Sequence, residues 1–142
     1  MEVSEVRRRL RAAIDQARRQ AAARRERSDA AARDFEQLLQ DRAIPVFHTL
    51  AAALTAEGHR FAVFTPAGMV RLSSERSTQD FIELALDSTG DTPALVVRTS
   101  RGRGRRQLTS ERAVREGSRI AELTDEDLLG FVLDEIAPFV ER

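Results

Sequence analysis

Apolar and polar positions alternate most clearly in the stretch Phe81–Leu86. One face carries the branched aliphatic side chains of Ile82, Leu84 and Leu86. The other face carries a mixed set, Phe81, Glu83 and Ala85. A period of two residues is typical of a half-buried β-strand. Asp80 and Asp87 bound the stretch, so we predict a strand here, at the centre of a short antiparallel sheet.

Three further apolar runs bounded by turn signals are predicted as strands: Arg60–Thr65, Met69–Leu72 and Ala94–Thr99. A fourth segment, Gln107–Glu116, follows the last of them. A tight turn at residues 66–68, Pro-Ala-Gly, joins the first two as a hairpin. The last segment is either a fifth strand, with Leu108 and Val114 pointing inward, or a helical turn. We predict the strand.

The N-terminal part of the chain has the pattern of a long helix. Residues 2–41 contain no Gly or Pro and are rich in strong helix formers. Apolar residues recur at 3-4-3-4 spacing, and two more widen the stripe, so that the candidate self-association seam comprises Val3, Val6, Leu10, Ala13, Ile14, Ala17 and Ala21. This spacing resembles a coiled coil, although Gln20, Arg24 and Arg27 interrupt it before apolar residues return at 31–39.

The length of this helix bears on its role. A continuous helix over residues 2–41 would be about 60 Å long at 1.5 Å per residue. So small a body cannot bury that length. The first half must therefore pack on another chain, fold back near Arg24–Ser28, or stand free in water. We expect it to pack on another chain, giving a homo-oligomer, most simply a dimer.

A second helix is predicted from about residue 45. Pro45 suits a first helical turn, and Gly58 suits the C-terminal stop. The apolar face comprises Val46, Phe47, Leu50, Ala51 and Leu54. Alternatively, Pro45 only kinks a helix that runs on from residue 41.

The last helix has the clearest start signal. Thr124 is the predicted N-cap, and Asp127 stands three residues later, as in a capping box. Its predicted buried stripe comprises Leu129, Val132, Leu133, Ile136 and Val140, with Phe139 beside it. Pro138 is expected to end the helix.

Together these elements predict an α+β protein: a long N-terminal helical arm resembling a coiled coil, a second helix, a four- to five-stranded mainly antiparallel sheet and a C-terminal helix. Residues 1–41 form the arm, and residues 42–142 form the α+β domain. The expected core comprises Phe47, Leu50, Leu54, Phe61, Val63, Ile82, Leu84, Leu86, Val96, Val132 and Ile136.

Composition narrows the classes of function. Among 142 residues there is no cysteine, which excludes disulfides, cysteine-ligated zinc and cysteine nucleophiles. No apolar run approaches the roughly 20 residues that span a bilayer, and the first residues lack the apolar core of a signal peptide. We therefore expect a cytoplasmic protein that does not enter a membrane.

Charge is balanced overall but segregated along the chain. Residues 1–33 hold 10 Arg and 5 acids (+5), and residues 34–97 hold 4 Arg and 9 acids (−5). Residues 98–119 hold 8 Arg and 2 acids (+6), and residues 120–142 hold 1 Arg and 7 acids (−6). The two ends of the chain therefore carry net charges of opposite sign.

The densest basic segment is predicted as a loop at residues 101–106, where Gly102 and Gly104 disfavour regular structure. It offers a candidate polyanion-binding set, comprising Arg98, Arg101, Arg103, Arg105 and Arg106. The alternative is a solvated turn kept soluble by its charge. No aromatic side chain in the loop can stack on bases, which argues against single-strand binding.

Other chemistry finds little support. His48 and His59 have no recognised ligand spacing, and no glycine-rich phosphate loop or positioned nucleophile is present. We therefore expect no metal, no cofactor and no enzymatic activity. The predicted function is a non-enzymatic interaction or adaptor protein that self-associates through its N-terminal helix and presents the α+β domain to a protein partner. The alternative is a nucleic-acid-binding protein that uses the Arg-rich loop and the Arg clusters of the arm, such as Arg7–Arg9.

Overall fold

A computed structural model describes residues 1–141 and shows an α+β fold with an N-terminal helix, a five-stranded antiparallel sheet and a C-terminal helix. The fold class predicted from the sequence is confirmed. The helices are α1 (Val3–Leu38), α2 (Ile44–Ala56) and α3 (Asp125–Val140). The strands are β1 (Phe61–Phe64), β2 (Val70–Ser74), β3 (Phe81–Asp87), β4 (Ala94–Arg103) and β5 (Arg106–Glu116).

The sheet is a simple meander in which each strand pairs with the next, in the order β1-β2-β3-β4-β5. The predicted alternation along β3 is confirmed. Ile82 and Leu84 lie on the face that packs in the hydrophobic core, while Glu83 and Ala85 lie on the opposite, outer face. Glu83 is nevertheless only 4% exposed. Both faces of β3 are therefore shielded from water, the outer one by side chains of neighbouring strands.

The first two helices are joined without a loop. A π-helical turn, Leu39–Ala43, links α1 to α2, and Pro45 occupies the first turn of α2. The chain is thus helical from Val3 to Ala56, which matches the alternative of a helix running on through Pro45. Buried positions recur every four residues at Phe35, Leu39, Ala43, Phe47 and Ala51. Steps of four overshoot an α-helical turn, and the wider π turn returns the stripe to the core.

The second helix ends as predicted at Gly58, whose φ is 92°. The amide of His59 donates to the Leu54 carbonyl oxygen at 2.8 Å, and the amide of Gly58 donates to that of Thr55 at 3.1 Å. This pair of hydrogen bonds is a Schellman motif, which requires a left-handed residue that glycine adopts without strain.

The end of α1 is anchored to the body by a close approach. Gly117 opens a 3₁₀ segment, Gly117–Glu122, and donates its amide to the Pro93 carbonyl oxygen at 2.7 Å. A Cβ at this position would lie 2.9 Å from that oxygen and 3.1 Å from the Cβ of Ala31. Only glycine allows the three segments to meet, so this contact marks where α1 joins the body.

The core prediction is largely confirmed. Seven of the eleven predicted residues are buried, and four are partly buried against the core, namely Leu54, Val63, Leu86 and Ile136. Val96 is buried on the outer face, opposite Ala85, rather than in the main core. The core also contains Phe35 and Leu38 at the end of α1 and Leu39 in the π-helical turn, none of which was predicted there. The domain boundary proposed between residues 41 and 42 stays a prediction. Arg142, the last residue of the proposed α+β domain, lies outside the described residues.

Two predictions for α3 are wrong, one of them in part. Of the predicted stripe, Val132 is buried and Ile136 is packed against the core. Leu129 is 38% and Leu133 is 52% exposed, and Leu128, which was not predicted, is buried instead. Pro138 does not end the helix, which continues to Val140. Proline holds a helical φ, and here it is followed by only two further helical residues.

The predicted loop at residues 101–106 is also wrong, because β4 and β5 form a continuous hairpin through it. Gly102 lies within β4, and Arg103 pairs directly with Arg106 across a two-residue turn. Gly104 has φ 63°, as the first central position of a type II′ turn requires. The predicted fifth strand is confirmed, with Val114 packed on the core, but Leu108 is 40% exposed rather than inward.

Candidate interaction surfaces

The first half of α1 carries an apolar stripe that no described part of the chain covers. The exposed fractions of its large side chains are 75% for Val3, 44% for Val6, 56% for Leu10 and 40% for Ile14. Ala13 and Ala17 are also exposed, and Ala21 is half-buried. The seam predicted from the sequence is therefore a surface, as self-association requires.

The seam is too far from its own body to be covered by it. The helix is unbroken through residues 24–28, so the fold-back alternative is wrong. Leu10 precedes Ala31, where α1 joins the body, by 21 helical residues, or about 32 Å at 1.5 Å per residue. Ion pairs between Glu5 and both Arg8 (2.9 Å) and Arg9 (3.1 Å) stabilise the helix locally. Another chain or water must therefore face the seam.

A second apolar surface lies between α2 and α3. It is a groove with a volume of about 520 Å³, lined by Pro45, Val46, Thr49, Leu50, Ala53, Asp125, Glu126 and Leu129. Its acidic residues belong to the first turn of α3. Arg42 lies beside this turn and pairs with Asp125 at 3.3 Å. The exposed Leu129, missed as a surface residue by the sequence reasoning, is the apolar side chain that α3 contributes.

The acidic end of the groove is held in place by the predicted capping box. The amide of Asp127 donates to Thr124 Oγ1 at 3.2 Å, and the amide of Thr124 donates to Asp127 Oδ2 at 3.0 Å. The hydrogen bond from the Thr124 amide is the main reason that the pKa of Asp127 is lowered from its ordinary value. The Thr124 hydroxyl contributes further to this lowering. Asp127 thus remains charged while it fixes the direction in which α3 starts.

One row of side chains crosses the outer face of the sheet from strand to strand. In the strand register each member of this row lies directly opposite the next, from β1 to β5, in the order Phe64, Arg71, Glu83, Arg98 and Glu111. We call these residues the ladder. The carboxylate of Glu83 accepts from Arg71 at 2.7 Å and lies 3.6 Å from Arg98, which in turn pairs with Glu111 at 2.8 Å. That last hydrogen bond is the largest cause of the raised pKa of the Arg98 guanidinium.

The ladder explains how a carboxylate is buried on a face that no helix covers. The side chains of Arg71 and Arg98 are 32% and 34% exposed, and they lie over Glu83 from both neighbouring strands. The Arg71 guanidinium also stacks 4.0 Å above the ring of Phe81. Sequence reasoning missed this network because only the strand register brings these four charged residues into one row.

The five arginines predicted to act together are divided by the hairpin. Arg98 belongs to the ladder, where it lies beside the carboxylates of Glu83 and Glu111. Arg101 is three residues further along β4 and therefore lies on the other face of the sheet. Arg103, Arg105 and Arg106 are exposed at the hairpin tip. Among residues 1–141 no acidic side chain forms an ion pair with Arg101 or with any of these three. The tip is therefore a smaller basic patch than the sequence suggested.

The remaining sequence candidates do not form a site. His48 is exposed on α2, and His59 follows the end of that helix. Within the described residues, no three His, Asp or Glu side chains are grouped so that they could hold a metal ion. The same part of the chain contains no helix long and apolar enough to cross a membrane.

No protein-family model, curated protein or solved structure matches this chain. The functional proposal therefore rests on four surfaces of the chain itself: the seam, the groove, the ladder and the hairpin tip.

Proposed function

We propose that this chain is a non-enzymatic interaction protein that self-associates through the first half of α1 and presents its α+β body to a protein partner. The observation that carries the proposal is the exposed seam. Val3, Val6, Leu10 and Ile14 lie on one side of a helix that stands clear of the body. A surface helix normally faces such a stripe toward a core, and here the core must come from another chain.

Burial of the seam against another chain would contribute favourably to association. Fully burying one large aliphatic side chain contributes about 1.5–3 kcal/mol relative to leaving it in water. Four such side chains lie on one stripe, so a single partner surface can bury all of them. Scattered exposed leucines would be ordinary surface, but a stripe at helical spacing marks an interaction site.

The test compares two substitutions on the same helix. Leu10→Glu places a charge in the seam, whereas Ala12→Glu places it about 200° away around the helix, on the opposite side. We expect wild-type protein and the Ala12→Glu variant to be oligomers, and the Leu10→Glu variant to be a monomer, by multi-angle light scattering. Equal masses for all three proteins would refute self-association through the seam.

A second candidate function, nucleic-acid binding, is supported by the hairpin tip. Arg103 and Arg106 oppose each other directly across the strands, an arrangement that is unfavourable for like charges without an anion between them. Phosphate contact predicts an affinity that falls steeply with salt. A gel shift with duplex and single-stranded DNA at increasing salt tests this. Binding that is absent at low salt, or insensitive to salt, would exclude it.

A further inference from the structure

We propose that the groove between α2 and α3 receives the N-terminal part of the seam, residues 3–14, of a second copy of this chain. This inference rests on the proposed self-association and identifies the surface that the seam contacts. It assigns the exposed Leu129 and the acidic first turn of α3 a role that the fold itself does not require.

The two surfaces match in shape and apolar character. Val3, Val6 and Leu10 are spaced by three and four residues, which is the anchor pattern of a helix that binds in a groove. The groove offers an apolar floor and walls from Val46, Leu50, Ala53 and Leu129. Its volume of about 520 Å³ leaves room for such anchor side chains between the two helices.

The charges of the two surfaces are opposite. Helix α3 contains five acidic residues and no basic one. Residues 7–11 of α1 include four arginines, and Glu5 pairs with only two of them, Arg8 and Arg9. Among the ion pairs of residues 1–141, none involves Arg7, Arg11 or Glu126. An arm in the groove would bring these unpaired charges of opposite sign together, which favours encounter and orientation.

The occupant cannot be the chain's own arm. Val3 precedes Pro45 by 42 helical residues, or about 63 Å along the continuous helix. The groove is built partly on α2, which continues that same helix, so the arm points away from it. A second copy is free of this constraint. Two copies form a closed pair when each arm enters the other's groove.

Pairing of two arms with each other fits the chain less well. The seam extends from Val3 to Ala21, fewer than the three to four heptads that sustain a coiled coil, and Arg24 and Arg27 follow it. Parallel arms would also place Arg7–Arg11 beside the same residues of the partner. The groove instead supplies a preformed apolar surface with acidic residues beside it.

A complementation experiment tests the inference with full-length chains. Leu10→Glu removes the seam and leaves the groove intact, while Leu129→Glu blocks the groove and leaves the seam intact. Ala12→Glu is the control for the arm. Leu133→Glu is the control for α3, because Leu133 is exposed one turn further along but does not line the groove. Circular dichroism and the thermal midpoint verify that each variant is folded.

If the inference is right, Leu10→Glu and Leu129→Glu are each monomers, and both controls associate like wild type. Titrating Leu10→Glu into fluorescently labelled Leu129→Glu should give saturable binding at least tenfold tighter than either variant with itself. An oligomeric Leu129→Glu, or no preference for the mixed pair, overturns the groove as the receptor while self-association stands. Should Leu129→Glu fail to fold, Ala53→Glu on the opposite wall takes its place. A Leu10→Glu variant with wild-type mass would instead refute self-association through the seam, and with it the proposed function.

Discussion

The two ends of α1 are built from the same kinds of residue and have opposite fates. At its C-terminal end, Ala31, Phe35 and Leu38 are 2–5% exposed and packed on the body. At its N-terminal end, Val3, Val6, Leu10 and Ile14 are 40–75% exposed on an unbroken continuation of the helix. An apolar stripe thus predicts that a helix has a partner, but it does not tell whether that partner is the same chain. The stripe at the C-terminal end packs on the body, and the stripe at the N-terminal end is the one that we propose for association.

The sharpest contrast is expected from trimming one large side chain at each end. Phe35→Ala should lower the free energy of unfolding by about 3–5 kcal/mol, because it leaves a cavity among buried side chains. Ile14→Ala should leave the unfolding of the monomer nearly unchanged and weaken only association. Chemical denaturation at a concentration low enough to hold the monomer measures both. Similar losses for the two variants would erase the distinction between the ends.

A second contrast compares carboxylates that each lie between two arginines. Glu83, in the ladder, is 4% exposed, whereas the side chain of Glu5, on the arm, is 37% exposed. Glu83→Ala should cost about 1–3 kcal/mol, since it leaves the partly buried guanidinium group of Arg71 without its acceptor. Glu5→Ala should cost at most about 0.5 kcal/mol, as expected for exposed pairs on a helix. Thermal or chemical unfolding of both variants decides, and a larger loss from Glu5→Ala would contradict the account.

The N-cap of α3 gives a smaller and more local effect. Thr124→Ala should destabilise the protein by about 1 kcal/mol, because the Asp127 amide loses its acceptor. Thr124→Ser keeps the hydroxyl and should be nearly neutral in denaturant titrations. Equal losses from the two substitutions would indicate that the methyl group, rather than the cap, matters.

The same cap makes a pH prediction. The folded protein lowers the pKa of Asp127, so the charged form is favoured by folding. Its contribution is fully present above the unfolded pKa, about 3.9, and is lost as pH falls through the lower, folded value. Stability should therefore decline below about pH 4, and Asp127→Asn should make that decline shallower. An acid limb that is unchanged in Asp127→Asn would remove the cap from the explanation.

The smallest effect is expected at the hairpin tip. Replacing Arg101, Arg103, Arg105 and Arg106 with Ser should leave the thermal midpoint almost unchanged, since no ion pair within residues 1–141 depends on them. If the tip contacts phosphate, the same variant loses nucleic-acid binding in the gel shift. A large drop in the midpoint would show that the arginines stabilise the hairpin.

Local signals predicted most of the fold. The alternation along β3, the glycine stop of α2 and the Thr124 cap each depend on residues close in sequence, and each is confirmed. The errors arise where distant residues decide. Packing against distant residues decides that Leu128 is buried while Leu129 is exposed, and the strand through Gly102 belongs to a hairpin held by ten residue pairs between β4 and β5.

The candidate surfaces divide in the same way. The seam was predictable, because helical spacing alone places its residues on one side. The ladder was not, because its members are 7 to 15 residues apart along the chain and meet only through strand register. The groove was not either, because it forms between α2 and α3, which the whole sheet separates in sequence.

The most direct test of self-association through the arm is the mass of the unmodified protein in solution as a function of concentration. Sedimentation equilibrium should show a reversible increase from one chain to a larger species, most simply two chains, and Leu10→Glu should abolish the increase. A protein that stays at the mass of one chain at every concentration would contradict the central claim. The seam would then be a stripe that water alone covers.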